Sequence, residues 1–180
     1  MARQLFFDEN FLKENSEIDE NVDMKLLNPT IWRCQIQYIQ NVLGTNLYTK
    51  ILTDIENDTL TGDYLTLVDD YCADALQYWV MYEVQIPLLF KFRDKAVSTK
   101  NSTNSAPIST KELSRIENRF KDKAEFFTQR ISDYLCANEP LFPEYNTEDE
   151  YDETRPQDGM PTVSVYLGGP YSSKICKSRE

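Results

Sequence analysis

An all-α fold is what this sequence predicts: a small bundle of about four helices with extended N-terminal and C-terminal arms. Three observations support that reading. Apolar residues recur at spacings of three and four over several long stretches, the period of a helix with one buried side. Glycine, proline and Asn/Ser/Thr clusters punctuate the chain mostly between those stretches. A single short run, 162–167, alternates in the manner of a strand.

The expected organisation is an N-terminal arm over 1–27, a helical bundle over 28–138 and an acidic extended arm over 139–180. In the first arm Leu5, Phe6, Phe7, Phe11 and Leu12 form short apolar clusters, and Glu14 to Asp23 holds five acids and no base. Apolar clusters on a polar arm dock on something, either the chain's own core or the next subunit. The first secure helix is expected at Asn28-Pro29, where Asn28 can cap free amides and Pro29 sits where a missing N–H costs nothing. Ile31 or Trp32, Gln35, Ile36, Ile39 and Val42-Leu43 continue it, and Gly44 stops it. A second, short helix over 46–56 sets Leu47, Ile51 and Ile55 on one side, and a polar break follows from Asn57 to Gly62.

The third helix is predicted from about 63 toward 93. Its stripe of Tyr64, Val68, Tyr71, Ala75, Tyr78 or Trp79, Tyr82, Ile86 and Leu89 is broadened by Leu67, Cys72 and Leu76, a width that suits the centre of a bundle. Pro87 should kink this helix or end it a few residues earlier. Residues 97–108, with five Ser/Thr, two Asn and a Pro, read as a flexible, exposed loop. Ser109-Thr110-Lys111-Glu112 is a capping box that opens the fourth helix, whose face is Leu113, Ile116, Phe120, Ala124, Phe127, Ile131, Tyr134 and Leu135. Beyond it Pro140, Pro143, Pro156 and Pro161 exclude a continuing helix, and 139–158 holds eight acids against one base. A lone strand at 162–167 would have to pair elsewhere, the edge of another subunit being the attractive candidate.

Acidic residues outnumber basic ones by 30 to 19, giving a formal net charge of −11 over 180 residues. Such a surface repels phosphate backbones and fits poorly with a general nucleic-acid binder. The charge serves either solubility or docking to a basic partner. Four cysteines, Cys34, Cys72, Cys136 and Cys176, are widely separated, with no CxxC spacing, and read as buried free thiols. The sequence shows no signal-peptide pattern and no apolar run able to span a bilayer, so a soluble, intracellular protein without membrane partners is expected.

Histidine is absent, which removes the commonest general base near pH 7. Asp69, Asp70 and Asp74 interrupt the third helix near its apolar stripe; Asp70 and Asp74, one turn apart, could share an Arg, a Lys or a metal. A solvated or salt-bridged helix face is the stronger reading, because no Glu-x-x-His motif accompanies them. The acidic run Glu148 to Glu153 lacks calcium-loop spacing, and Gly168-Gly169 lacks the pattern of a phosphate loop. No catalytic residue, metal ligand or cofactor is expected, and the chain does not read as an enzyme. Eleven Tyr and two Trp are a better clue, since large rings with polar handles suit protein interfaces. Tyr71, Tyr78 and Tyr82 fit the core. The expected protein-interface residues are Phe6, Phe7, Phe11, Tyr145, Tyr151, Val163, Val165, Tyr166 and Tyr171.

The stretch from Asn28-Pro29-Thr30-Ile31 through Tyr38-Ile39-Gln40-Asn41-Val42-Leu43-Gly44-Thr45-Asn46-Leu47-Tyr48-Thr49-Lys50-Ile51 resembles the first helix pair of tailed-phage head–tail connector proteins. It is most like the portal adaptors of crAss-like phages. Ala124-Glu125-Phe126-Phe127 through Tyr134-Leu135, followed by Leu141-Phe142-Pro143-Glu144-Tyr145, resembles them as well. The resemblance implies a subunit of a ring, dodecameric by the family's habit, between portal and tail in a virion. Its partners would be the portal protein, neighbouring copies, further tail or adaptor proteins, and genomic DNA passing through the lumen without sequence-specific binding. It also implies contacts to neighbours through residues 1–20, 97–108 and 140–180. The Asn-Ser-Thr-rich loop departs from the family pattern, and the acidic tail after Glu144 lies outside the match.

Overall fold

A computed structural model describes residues 4–93, 96–99, 110–145 and 156, and shows an all-α small bundle of four helical runs. A short helix, α1 (Glu9–Asn15), precedes them. The first two runs are α2 (Met24–Cys34), a π turn (Gln35–Ile39) and α3 (Gln40–Glu56), divided at Gly44. Gly44 has φ 77° and ψ 162°, a backbone that an L side chain resists, so the helix stops there as the sequence predicts. The third run is α4 (Gly62–Leu67), a second π turn (Val68–Cys72) and α5 (Ala73–Leu89). The fourth is α6 (Thr110–Ala137), followed by a 3-10 turn (Glu139–Leu141).

Helix α2 starts earlier than Asn28-Pro29. Asp23 is its cap, accepting the Lys25 N–H at 3.0 Å, and Pro29 lies inside the helix. Burial explains the extra turn: Leu27 is fully enclosed, while Lys25 and Pro29 are exposed. Water can therefore satisfy the carbonyl that Pro29 leaves without a donor. Helix α5 likewise runs through Pro87 and ends at Leu89 rather than continuing toward 93. Strand β1 (Phe90–Arg93) pairs antiparallel with β2 (Ala96–Thr99), in register from Phe90 opposite Thr99 to Arg93 opposite Ala96. The loop expected from residue 97 thus begins as one side of a hairpin. Residues 100–108, Ser109 of the capping box and the strand expected at 162–167 lie outside the described residues.

Helix α5 occupies the centre, as its wide apolar stripe predicts. It packs most extensively on α6 and also on α2, and Ala75, Leu76, Val80, Met81 and Val84 are all buried. Cys34 and Cys72 are buried free thiols. Cys136 is half-buried near the end of α6, and Cys176 lies outside the described residues.

The N-terminal segment is a strap on the bundle and not a free arm, at least from residue 4 onward. Phe7, Leu12 and Ile18 are buried in the common core. Asp8 caps α1 by accepting the Phe11 N–H at 2.9 Å. Two buried glutamines fasten the strap. Gln35 accepts the Phe6 N–H at 2.9 Å through Oε1, and its Nε2 donates to the Gln4 carbonyl at 3.3 Å and to the Tyr48 hydroxyl at 2.9 Å. Gln77 Nε2 donates to the Asn15 carbonyl. Buried amides persist when their hydrogen bonds are made, and these are.

Candidate functional site

Aromatic residues recur every seventh position on two helical runs: Tyr64, Tyr71 and Tyr78 on one, Phe120, Phe127 and Tyr134 on the other. Seven residues are nearly two helical turns, so each series keeps one bearing. In the antiparallel pairing of α5 with α6 the two series meet. Tyr78 stacks on Phe127 with centroids 5.0 Å apart, and Tyr71 stacks on Tyr134 at 4.1 Å. At the end of the seam the edge of Tyr64 meets Phe142 at 5.2 Å.

Cations cover this seam. The Arg130 guanidinium lies 5.2 Å from the Tyr71 ring and 5.4 Å from the Phe127 ring, and reaches Asp74 at 3.7 Å. Lys123 Nζ stands 4.9 Å over Tyr78. Beside them Phe126 is 63% exposed and meets Phe127 edge-on at 5.4 Å. At the Tyr64 end its hydroxyl donates to Glu144 at 2.7 Å, while Lys50, paired with Asp54 at 2.7 Å, lies 5.7 Å from its ring. On the other side of α5, Trp79 lies parallel to Tyr38 at 3.7 Å. Trp79 Nε1 donates to Thr128 at 2.9 Å, and Tyr38 donates to Glu83 at 2.6 Å.

These environments hold protons on weak acids. Burial, with the Glu83 hydrogen bond next, raises the Tyr38 phenol well above its ordinary range; burial and then the Glu144 hydrogen bond do the same for Tyr64. Burial pushes the Cys34 thiol from 9.0 up to about 12, and raises Cys72 further. Each group stays protonated in the folded chain at a pH where the unfolded chain ionises. The resulting stabilisation is complete below the unfolded values of 9.0 and 10.0 and is lost as pH rises above them. The melting temperature is therefore expected to fall from pH of about 9 upward. A melting temperature that rises between about pH 9 and 11 contradicts this assignment.

Asp69 and Asp70 are exposed, and Asp74 pairs with Arg130, which is the salt-bridged face favoured from sequence. Asp69 is raised by burial and then by the charge of Asp70; Asp74 is raised by burial, against the pull of Arg130. Among the described residues no group of three or more Cys, Asp or Glu side chains could hold a metal, and no helix is long and apolar enough to cross a membrane.

The expected interface residues divide. Phe7 and Tyr145 are buried in the chain's own core, at 8% and 1% exposure, so neither is available for docking in this fold. Phe6 and Phe11 are half-buried: Phe6 lies 5.7 Å from Tyr48, and Phe11 lies 4.8 Å from Phe7. The reason is the glutamine-fastened strap, which brings their surface onto the bundle. Tyr151, Val163, Val165, Tyr166 and Tyr171 lie outside the described residues. The fold assembles instead the seam residues Tyr71, Tyr78, Phe127 and Arg130 with exposed Phe126, a set that sequence reading assigned to core or left aside. Matching seven-residue aromatic periods were the signal that could have found it.

What this arrangement offers is contact area: large rings, half exposed, with fixed cations and polar groups engaged with one another. A family model described as a family of unknown function (DUF6712) matches residues 39–155. No curated protein and no solved structure matches the chain.

Proposed function

The chain belongs to the DUF6712 family, and on that premise we propose that it is a helical protein-binding module that works without catalysis. The half-exposed aromatic and cationic seam of α5 and α6 is the observation that supports this reading. Its geometry is that of a contact surface, with Phe126 63% exposed beside Arg130 and Lys123. Interface hot spots favour aromatic rings and arginine in this combination. The test is the mass of the full chain, tagged and isolated from its source under native conditions. A complex with a defined polypeptide, weakened by Phe126→Ala and Arg130→Ala together, is expected. A chain recovered only at 21.1 kDa under those conditions contradicts the reading.

A more specific form is a head–tail connector subunit of a phage virion, repeated in a ring between portal and tail around the DNA conduit. The observation favouring it is that the two stretches carrying the connector resemblance meet at one corner. Lys50 from the first, and Phe142 and Glu144 from the second, all contact Tyr64. The acidic balance of 30 to 19 suits a lumen along which DNA slides without sticking. Electron microscopy of assembled particles tests this form: a ring of this chain at the portal vertex is expected, and particles lacking the chain contradict it.

A further inference from the structure

One flank of α6 carries a line of cations on a chain whose net charge is −11. Arg119, Lys123 and Arg130 fall within about 40° of one another around α6, and Arg115 and Lys111 continue the line with a drift of about 40° per four-residue step. Phe126, 63% exposed, stands between Lys123 and Arg130. Arg115 and Arg119 are exposed, and neither they nor Lys123 make an ion pair among the described residues. Asp122 and Asp133 border the line, and Asp74 faces it from α5, pairing with Arg130 at 3.7 Å. Lys121, two residues before Lys123, turns to the other flank and pairs with Glu125 at 3.5 Å. Among the described residues Arg115, Arg119 and Lys123 thus stand without an ion pair in a chain with 30 acids and 19 bases.

We propose that this stripe is the docking site of the chain's own acidic segment, residues 146–153, running back along α6 in cis. Charge and order are complementary. The stripe reads Arg130, then Phe126, then Lys123 and Arg119; the segment reads Glu148-Asp149-Glu150, then Tyr151, then Asp152-Glu153. The lengths agree too. Arg130 to Arg119 spans about 16 Å of helix, and six extended residues span about 20 Å. Reach is short: Tyr145 is buried near Phe142 at the same end of the bundle as Arg130's neighbour Tyr134. Three residues beyond Tyr145 cover about 10 Å, the length of α6 from its end back to Arg130. Attachment to the same chain gives the segment an effective concentration of the order of millimolar, ahead of any free acidic peptide. The contact rests on the proposed function and deepens it, because the segment covers the same flank, around Phe126 and Arg130, that a partner would engage and so competes with that partner.

The test is zero-length carbodiimide cross-linking of the full chain, using an equal mixture of unlabelled and 15N-labelled protein. Cross-links from Lys123 to residues 148–153 are expected within single chains, at about five times or more the yield from Lys121. They are expected to fall severalfold in about 0.5 M NaCl and in the exposed double variant Arg115→Gln/Arg119→Gln. Mixed-isotope cross-links in the majority would mean that a second copy supplies the segment, and would overturn the proposal. Equal yields from Lys121 and Lys123, or no cross-link to 148–153, would overturn it as well.

Discussion

Trp79→Ala is expected to lower stability by about 3–5 kcal/mol, the range for truncating a buried large aromatic residue. Trp79 is 7% exposed, lies flat on Tyr38 at 3.7 Å and donates its indole N–H to Thr128 at 2.9 Å. Alanine removes the stack and leaves a cavity between α5, the first π turn and α6. Thr128 is not orphaned, because its hydroxyl also donates to the Ala124 carbonyl at 2.7 Å. Trp79→Phe should therefore recover much of the loss by refilling the stack without the indole donor. In a chain of this size the alanine variant should melt roughly 10 °C lower in a thermal scan. A shift below about 2 °C would mean that the α5 packing described for Trp79 is wrong.

Gln35→Leu is expected to cost about 2–4 kcal/mol and to act mainly on the N-terminal strap. The substitution keeps the volume and removes both polar atoms. The Phe6 N–H, the Gln4 carbonyl and the Tyr48 hydroxyl then lose the partner they share. Buried groups left without hydrogen bonds cost roughly 1–3 kcal/mol each, but the strap can relieve part of that by lifting into water. The expected signature in hydrogen exchange is loss of protection over residues 5–18, with the centre of α5 affected less. Strap amides that keep their protection would contradict the clasp.

The bundle was legible because its signals are local. Gly44 announces a helix break that its φ of 77° confirms, and the stripe from Val68 to Leu76 announces a helix buried on several sides. Errors came where burial outweighs a local rule. Pro29 reads as a first-turn residue, yet Leu27 is worth burying and draws the helix back to Met24. Pro87 reads as a kink or an earlier stop, yet α5 passes it, ends two residues later at Leu89 and gives way to the hairpin at Phe90. The strap was harder. Phe7 and Leu12 announce docking without naming the surface, and only tertiary structure reveals Gln35 and Gln77 as its fasteners. A lone glutamine on a helix carries no such signal. The aromatic seam needed the pairing of two distant series, Tyr71 with Tyr134 and Tyr78 with Phe127, before core residues could be read as a surface.

Binding of another polypeptide to the surface of a core that is already complete can be followed by hydrogen exchange on the full chain, alone and within its isolated native complex. Unchanged protection in the strap and the centre of α5 is expected, with new protection along the α5–α6 seam and the flank around Phe126. A complex that leaves this flank unprotected while ordering residues 5–18 would contradict this expectation.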